Sequence, residues 1–142
     1  MSSAELDNLV KIGKLKREPP GQKELEGLRE SAGSRLGDAE RKDLKYDSRF
    51  DLAYAAAHAL ALFALRRMGY RSDNRYLVFQ ALAHTTDLPL SSRRVLAKAH
   101  ERRNAIEYQG SIERDERLLG ELIGATHALR EVVEKLLKGP AA

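Results

Sequence analysis

Leucines and alanines return at spacings of three and four along most of the chain, the period of helices with one buried face. Leu6, Leu9, Val10 and Leu15 predict a first amphipathic helix, stopped by Pro19-Pro20, which cannot continue one. Leu25, Leu28, Ala32, Leu36 and Ala39 predict a second. Gly27, Gly33 and Gly37 weaken it, each costing up to about 1 kcal/mol against alanine where exposed, and invite fraying or a bend. The clearest element is "DSRFDLAYAAAHALALFALRRMG", Asp47 to Gly69. Its centre is apolar on nearly every face, so neighbours must surround it, and its alanines let them approach closely. Asp47 or Ser48 can cap its start, and Gly69 can supply the left-handed stop.

"DNRYLVFQALAHT" predicts a shorter helix with Asp73 as its cap, followed by the loop "TTDLPLSS". Ser91 or Ser92 then opens a helix through "RRVLAKAHERRNAIEY", which Gly110 ends. The last predicted helix starts at Ser111 and keeps a seam of Leu118, Leu122, Ala125, Leu129, Val132 and Leu136 until Gly139-Pro140. Its acidic first turn and basic end match the helix dipole. No alternating apolar pattern of strand type occurs. The expected fold is all-α: an up-and-down bundle of four long helices plus one or two short ones. Residues 1–20 form an N-terminal helical segment with freedom to move, and 21–142 the bundle.

Composition narrows the classes of function. The chain has no cysteine, which removes disulfides, thiolate metal sites and cysteine nucleophiles. The four histidines, His58, His84, His100 and His127, form no His-x₃-His pair with a carboxylate at ligand spacing, so neither metal nor cofactor is expected. Mid-helix among alanines, His58 reads as a satisfied core residue. The most apolar run, Leu52 to Leu65, is 14 residues long, short of the roughly 20 that a spanning helix needs. With no signal-like N-terminus, the expectation is a cytoplasmic protein without a membrane partner. Net charge is +4, but residues 49–108 carry ten Lys/Arg against five Asp/Glu while 1–48 balance at ten each. An anionic partner would be drawn to the middle of the chain. Tyr46, Tyr54, Tyr70, Tyr76 and Tyr108 form no interleaved aromatic platform for bases in the sequence.

Within that basic middle lies "HERRNAIEYQG", His100 to Gly110. On a helix Asn104 and Tyr108 share a face, and Arg103 stands about 100° away, within reach of the same groove. Arg102 and Arg94 add positive charge. A guanidinium forks onto two phosphate oxygens, an amide donates and accepts, and a phenol donates. The set suits an anionic polar ligand such as an RNA phosphodiester. The alternative is plain: two cations near a helix C-terminus, worth a few tenths of a kcal/mol, with Tyr108 half-buried.

The stretch Arg103-Asn104-Ala105-Ile106-Glu107-Tyr108 resembles the signature of the HEPN superfamily (higher eukaryotes and prokaryotes nucleotide-binding): Arg, a polar residue, three variable residues, then His. Tyr108 stands at the histidine position. The alanine-rich "AYAAAHALALFALRRMGYRS" is similar to that family's central helix, and the likeness runs over roughly residues 22–138. It implies a helical bundle that dimerises so that two motifs face each other in one cleft. Many members are metal-independent endoribonucleases of toxin–antitoxin or defence systems, often paired with a nucleotidyltransferase antitoxin. Carried over by position, Arg103 would hold phosphate charge, Asn104 would position it, and Tyr108 would complete a catalytic trio, with Arg94, Arg102 and Arg103 binding nucleic acid. A phenol with an ordinary pKa near 10 is a poor base at pH 7, and loss of the imidazole could cost about 10²–10⁴ in rate, so weak or absent cleavage is expected. The second expectation is a non-catalytic dimeric interaction module that partners the nucleotidyltransferase, with Tyr108 as an AMP acceptor.

Overall fold

The computed structural model describes residues 4–109 and 113–138, the side chains of 107–109 aside. The elements in chain order are α1 (Ala4–Lys11), β1 (Lys16–Arg17), α2 (Gln22–Ala39), α3 (Tyr46–Arg67), β2 (Tyr70–Arg71), α4 (Arg75–Gln80), α5 (Leu82–Thr85), α6 (Leu90–Gln109) and α7 (Glu116–Lys138). The fold is all-α, a bundle of the four long helices α2, α3, α6 and α7, with α1, α4 and α5 as short additions. Short connections such as 40–45 make successive long helices neighbours.

Helix α3 is the axis of the bundle. It packs chiefly against α2 and α7 and also touches α4, α5, α6 and β2. Phe50, Ala53, Ala56, Ala57, Leu60, Ala61, Phe63, Ala64 and Leu65 are all buried, which fits an element apolar on nearly every face. Around them close Leu36 of α2, Leu96 of α6 and Leu118, Leu122 and Leu129 of α7. Near its end the α7 seam passes through buried Val133, with Val132 only partly covered. Helix α2 is unbroken across its glycines. At Gly33 an added Cβ would lie 2.8 Å from Arg130 Nη2, so that glycine makes room for a side chain of α7.

Helix ends depart from the sequence reading by a few residues each, because several side chains compete for each cap. Helix α3 begins at Tyr46, ahead of Asp47 and Ser48. Asn74, not Asp73, caps α4, accepting from Leu77 N at 3.0 Å. Helix α6 starts at Leu90, directly after Pro89, so Ser91 and Ser92 lie in its first turn. For α7, Asp115 accepts from Leu118 N at 2.9 Å, and residues 113–115 are not helical. The expected boundaries at Gly110, Ser111 and Gly139 lie outside the described residues.

The first helix closes at Lys11 instead of reaching Leu15, and Gly13 turns the chain with φ +79. Leu6 and Leu15 are both buried against the bundle. Residues 16–17 then pair antiparallel with 70–71, Lys16 opposite Arg71 and Arg17 opposite Tyr70. A two-residue pair has no periodicity to read in sequence. It forms because Gly69, at φ +88, ends α3 as expected and reverses the chain, while Glu18 N donates to Gly69 O at 2.9 Å.

Candidate functional site

Between α2, α3, α4 and α6 lies a cleft of about 470 Å³, within the range of roughly 300–1,000 Å³ that holds small ligands. Arg35 comes from α2, Arg75 from the start of α4 and Arg103 from α6. Ser31, Asp51, Tyr54 and His58 add polar groups, and Leu28, Leu52, Ala55 and Ala59 give it an apolar floor. The lining holds three guanidinium groups and, among the described residues, one carboxylate. Asp51 Oδ1 forms an ion pair with Arg103 Nε at 3.2 Å, and the Asp51 side chain is more than half exposed.

A hydrogen-bonded chain backs this cleft. Asn104 Nδ2 stands 3.0 Å from His100 Nε2, and His100 Nδ1 stands 2.9 Å from Tyr54 Oη. An amide NH₂ can only donate, so Nε2 accepts. The ring hydrogen therefore sits on Nδ1 and is given to the Tyr54 oxygen, which leaves the hydroxyl's own hydrogen for an acceptor other than His100. His100 is 7% exposed and lies among the rings of Tyr54, Phe79 and Tyr76, at centroid distances of 6.1, 6.0 and 5.6 Å. Buried polar rings of this kind fix one arrangement because every polar atom must be satisfied.

His58 is not the enclosed core histidine expected. It is half-buried in the cleft wall, edge-on to Phe79 at 5.9 Å. Burial first, then the charge of Arg75, push its pKa down to about 4, so its ring is neutral at pH 7. The cleft thus presents guanidinium donors, a hydroxyl and a neutral imidazole over an apolar floor, a set fitted to an anion with a partly apolar body.

Of the residues singled out in the sequence, the structure brings Arg103 to the cleft and Asn104 behind it. Arg102 turns instead towards the start of α7, 3.5 Å from Asp115 Oδ2. Arg94 lies nine residues before Arg103, about half a turn round the helix, and faces a different groove on the other side of α4. Arg94, Arg102 and Arg103 therefore do not form one patch. The side chain of Tyr108 lies outside the described residues. Sequence reasoning missed Arg35, Arg75, Tyr54 and Ser31, which come from other elements and share no spacing with the motif.

Among the described residues no cluster of three or more His, Asp or Glu is placed to hold a metal ion, and no helix is long and apolar enough to cross a membrane. No family model, curated protein or solved structure matches the chain.

Proposed function

We propose that the protein is a HEPN-like domain that binds RNA or nucleotide phosphate in the cleft of Arg35, Arg75 and Arg103. The observation that carries this reading is the convergence of three arginines from three helices on a cavity with, among the described residues, a single lining carboxylate. Bringing like charges together raises the energy of the unliganded protein, and a phosphate relieves it through forked, charge-assisted hydrogen bonds. The resemblance of the Arg103–Tyr108 segment to the HEPN signature adds RNA as the source of that phosphate and a homodimer as the working unit.

On this reading, metal-independent cleavage is weak or absent. Tyr108 occupies the position of the motif imidazole, and His58, the imidazole that does face the cleft, is too acidic to serve as an efficient base at pH 7. Arg103 holds the phosphate; Asn104 acts at one remove, through His100 on Tyr54.

The test is binding of a fluorescent single-stranded RNA as a function of salt. Arg103→Ala is expected to weaken binding about tenfold, the worth of a hydrogen bond to a charged group. It should also reduce the slope of log K against log salt by about 0.7, one neutralised phosphate on a single strand. Unchanged affinity and slope would overturn the reading.

A further inference from the structure

Adjacent residues on a helix diverge by about 100°, and at the start of α4 this sends Arg75 into the basic cleft and Tyr76 into a second depression. The second depression is a groove of about 480 Å³ whose lining includes Leu9, Leu77, Leu90, Arg94 and Ala97. Tyr76 is 45% exposed and Leu90 49%, two large apolar side chains that line the same groove. The Tyr76 ring meets that of His100 in a tilted contact, at a centroid distance of 5.6 Å and an interplanar angle of 33°. His100 in turn is hydrogen-bonded to Tyr54, which lines the basic cleft. His100 therefore connects a ring of one lining to a ring of the other.

We propose that this groove seats a nucleobase against Tyr76, so that the ligand is a single-stranded nucleic acid whose backbone crosses α4 with its phosphate in the basic cleft. The proposal rests on the phosphate reading of that cleft. An exposed aromatic ring that packs on a neighbouring ring can stack on a base with little loss of rotamer freedom, and stacking tolerates any base because all have a π-face. The planar guanidinium of Arg94 is suited to the same face or to the next phosphate. A purely apolar occupant would desolvate that charge without pairing it. In a duplex the base faces are covered by their neighbours, so only an unpaired strand can use the groove. No aromatic spacing in the sequence announced such a platform; it arises because α4 turns one residue to each side.

The experiment uses the full chain, a fluorescein-labelled 12-nucleotide RNA, the same strand in a duplex, and inorganic phosphate as competitor. Tyr76→Ala is expected to weaken single-strand binding about 5- to 100-fold, the worth of one stacked base. The salt slope and the competition by phosphate should not change, and Tyr76→Phe should bind as wild type does. Leu90→Asp places a carboxylate in the groove at a helix start, where the helix dipole favours it, and should bind the strand poorly while folding normally. The duplex should bind more weakly than the single strand. If Tyr76→Ala and Leu90→Asp both bind the strand as wild type does, or the duplex binds as tightly, the base site is overturned. Where Arg103→Ala still weakens binding in that case, the phosphate reading survives alone. Where Arg103→Ala is also silent, both fall. Binding of an acidic amphipathic peptide at the groove, with no effect of Tyr76→Ala on RNA, would likewise overturn the base site.

Discussion

Two arginine-centred regions of this molecule show why a positively charged side chain is not by itself a site. Arg66, at the end of α3, is 3% exposed and fully spent on the protein. It grips both oxygens of Glu24, at 2.9 and 3.1 Å, and donates to the carbonyls of Glu18, Pro19 and Tyr70 at 3.0, 3.2 and 3.2 Å. Arg66 also holds the Glu24 carboxyl below its usual pKa, chiefly through those hydrogen bonds. Every donor of that fork has an acceptor in the chain, and the result is a joint tying the segment before α2 to the end of α3. The cleft at Arg103 differs: three guanidinium groups line an open cavity with, among the described residues, one carboxylate, itself more than half exposed. The balance of acceptors around an arginine, more than its charge, separates a structural joint from a binding site.

The comparison is broken most severely at the joint. Arg66→Ala leaves three carbonyls and the partly exposed Glu24 without their shared partner, and is expected to lower stability by about 2–3 kcal/mol, chiefly the cost of buried acceptors left unsatisfied. Chemical denaturation measures it, and Arg66→Lys should recover only a small part, since an ammonium cannot form the same fork. A loss below about 1 kcal/mol would show that the joint is not the anchor described.

A second effect, smaller, belongs to the cleft wall. His58 has a pKa of about 4 in the folded protein against 6.5 for the free side chain. Between those values the unfolded chain binds the proton and the folded one does not, so stability falls as pH drops from 6.5 to 4. With the ring partly solvated, the loss should be about 1–2 kcal/mol. His58→Gln, neutral throughout, should flatten that part of the stability profile. An identical profile in the variant would mean that the imidazole is not held neutral by its surroundings.

The smallest effect on stability is expected at a residue where binding should suffer. Arg103→Ala removes a partly exposed ion pair with Asp51, worth about 0.2–1 kcal/mol at most, so its melting transition should barely move. A loss comparable to that of Arg66→Ala would place Arg103 among the structural arginines and dissolve the contrast.

Much of the fold could be read from the chain because it rests on local periodicity. Four long helices, the enclosed α3 and its stop at Gly69 all follow from the three-and-four spacing of apolar residues and from one glycine at positive φ. Caps were less legible: Asp73 and Asn74 are both good caps, and the choice between them depends on where the helix can dock. The candidate site was legible only in part. Arg103 and Asn104 stood out as adjacent members of one polar cluster, but Arg94 and Arg102 were drawn in by proximity along the chain, and the turn of α6 sends them elsewhere.

The sequence by itself determined the helical class, the buried helix at the centre, the basic middle of the chain and the conspicuous Arg103-Asn104 pair, since each follows from neighbours a few residues apart. Tertiary structure alone decided that Arg35, Arg75 and Arg103 share a cleft, that His100 links Asn104 to Tyr54, and that Tyr76 faces the opposite side of α4. Those meetings join positions tens of residues apart. They are fixed by which helix faces bury against α3, a property of the whole packed core that no local spacing encodes.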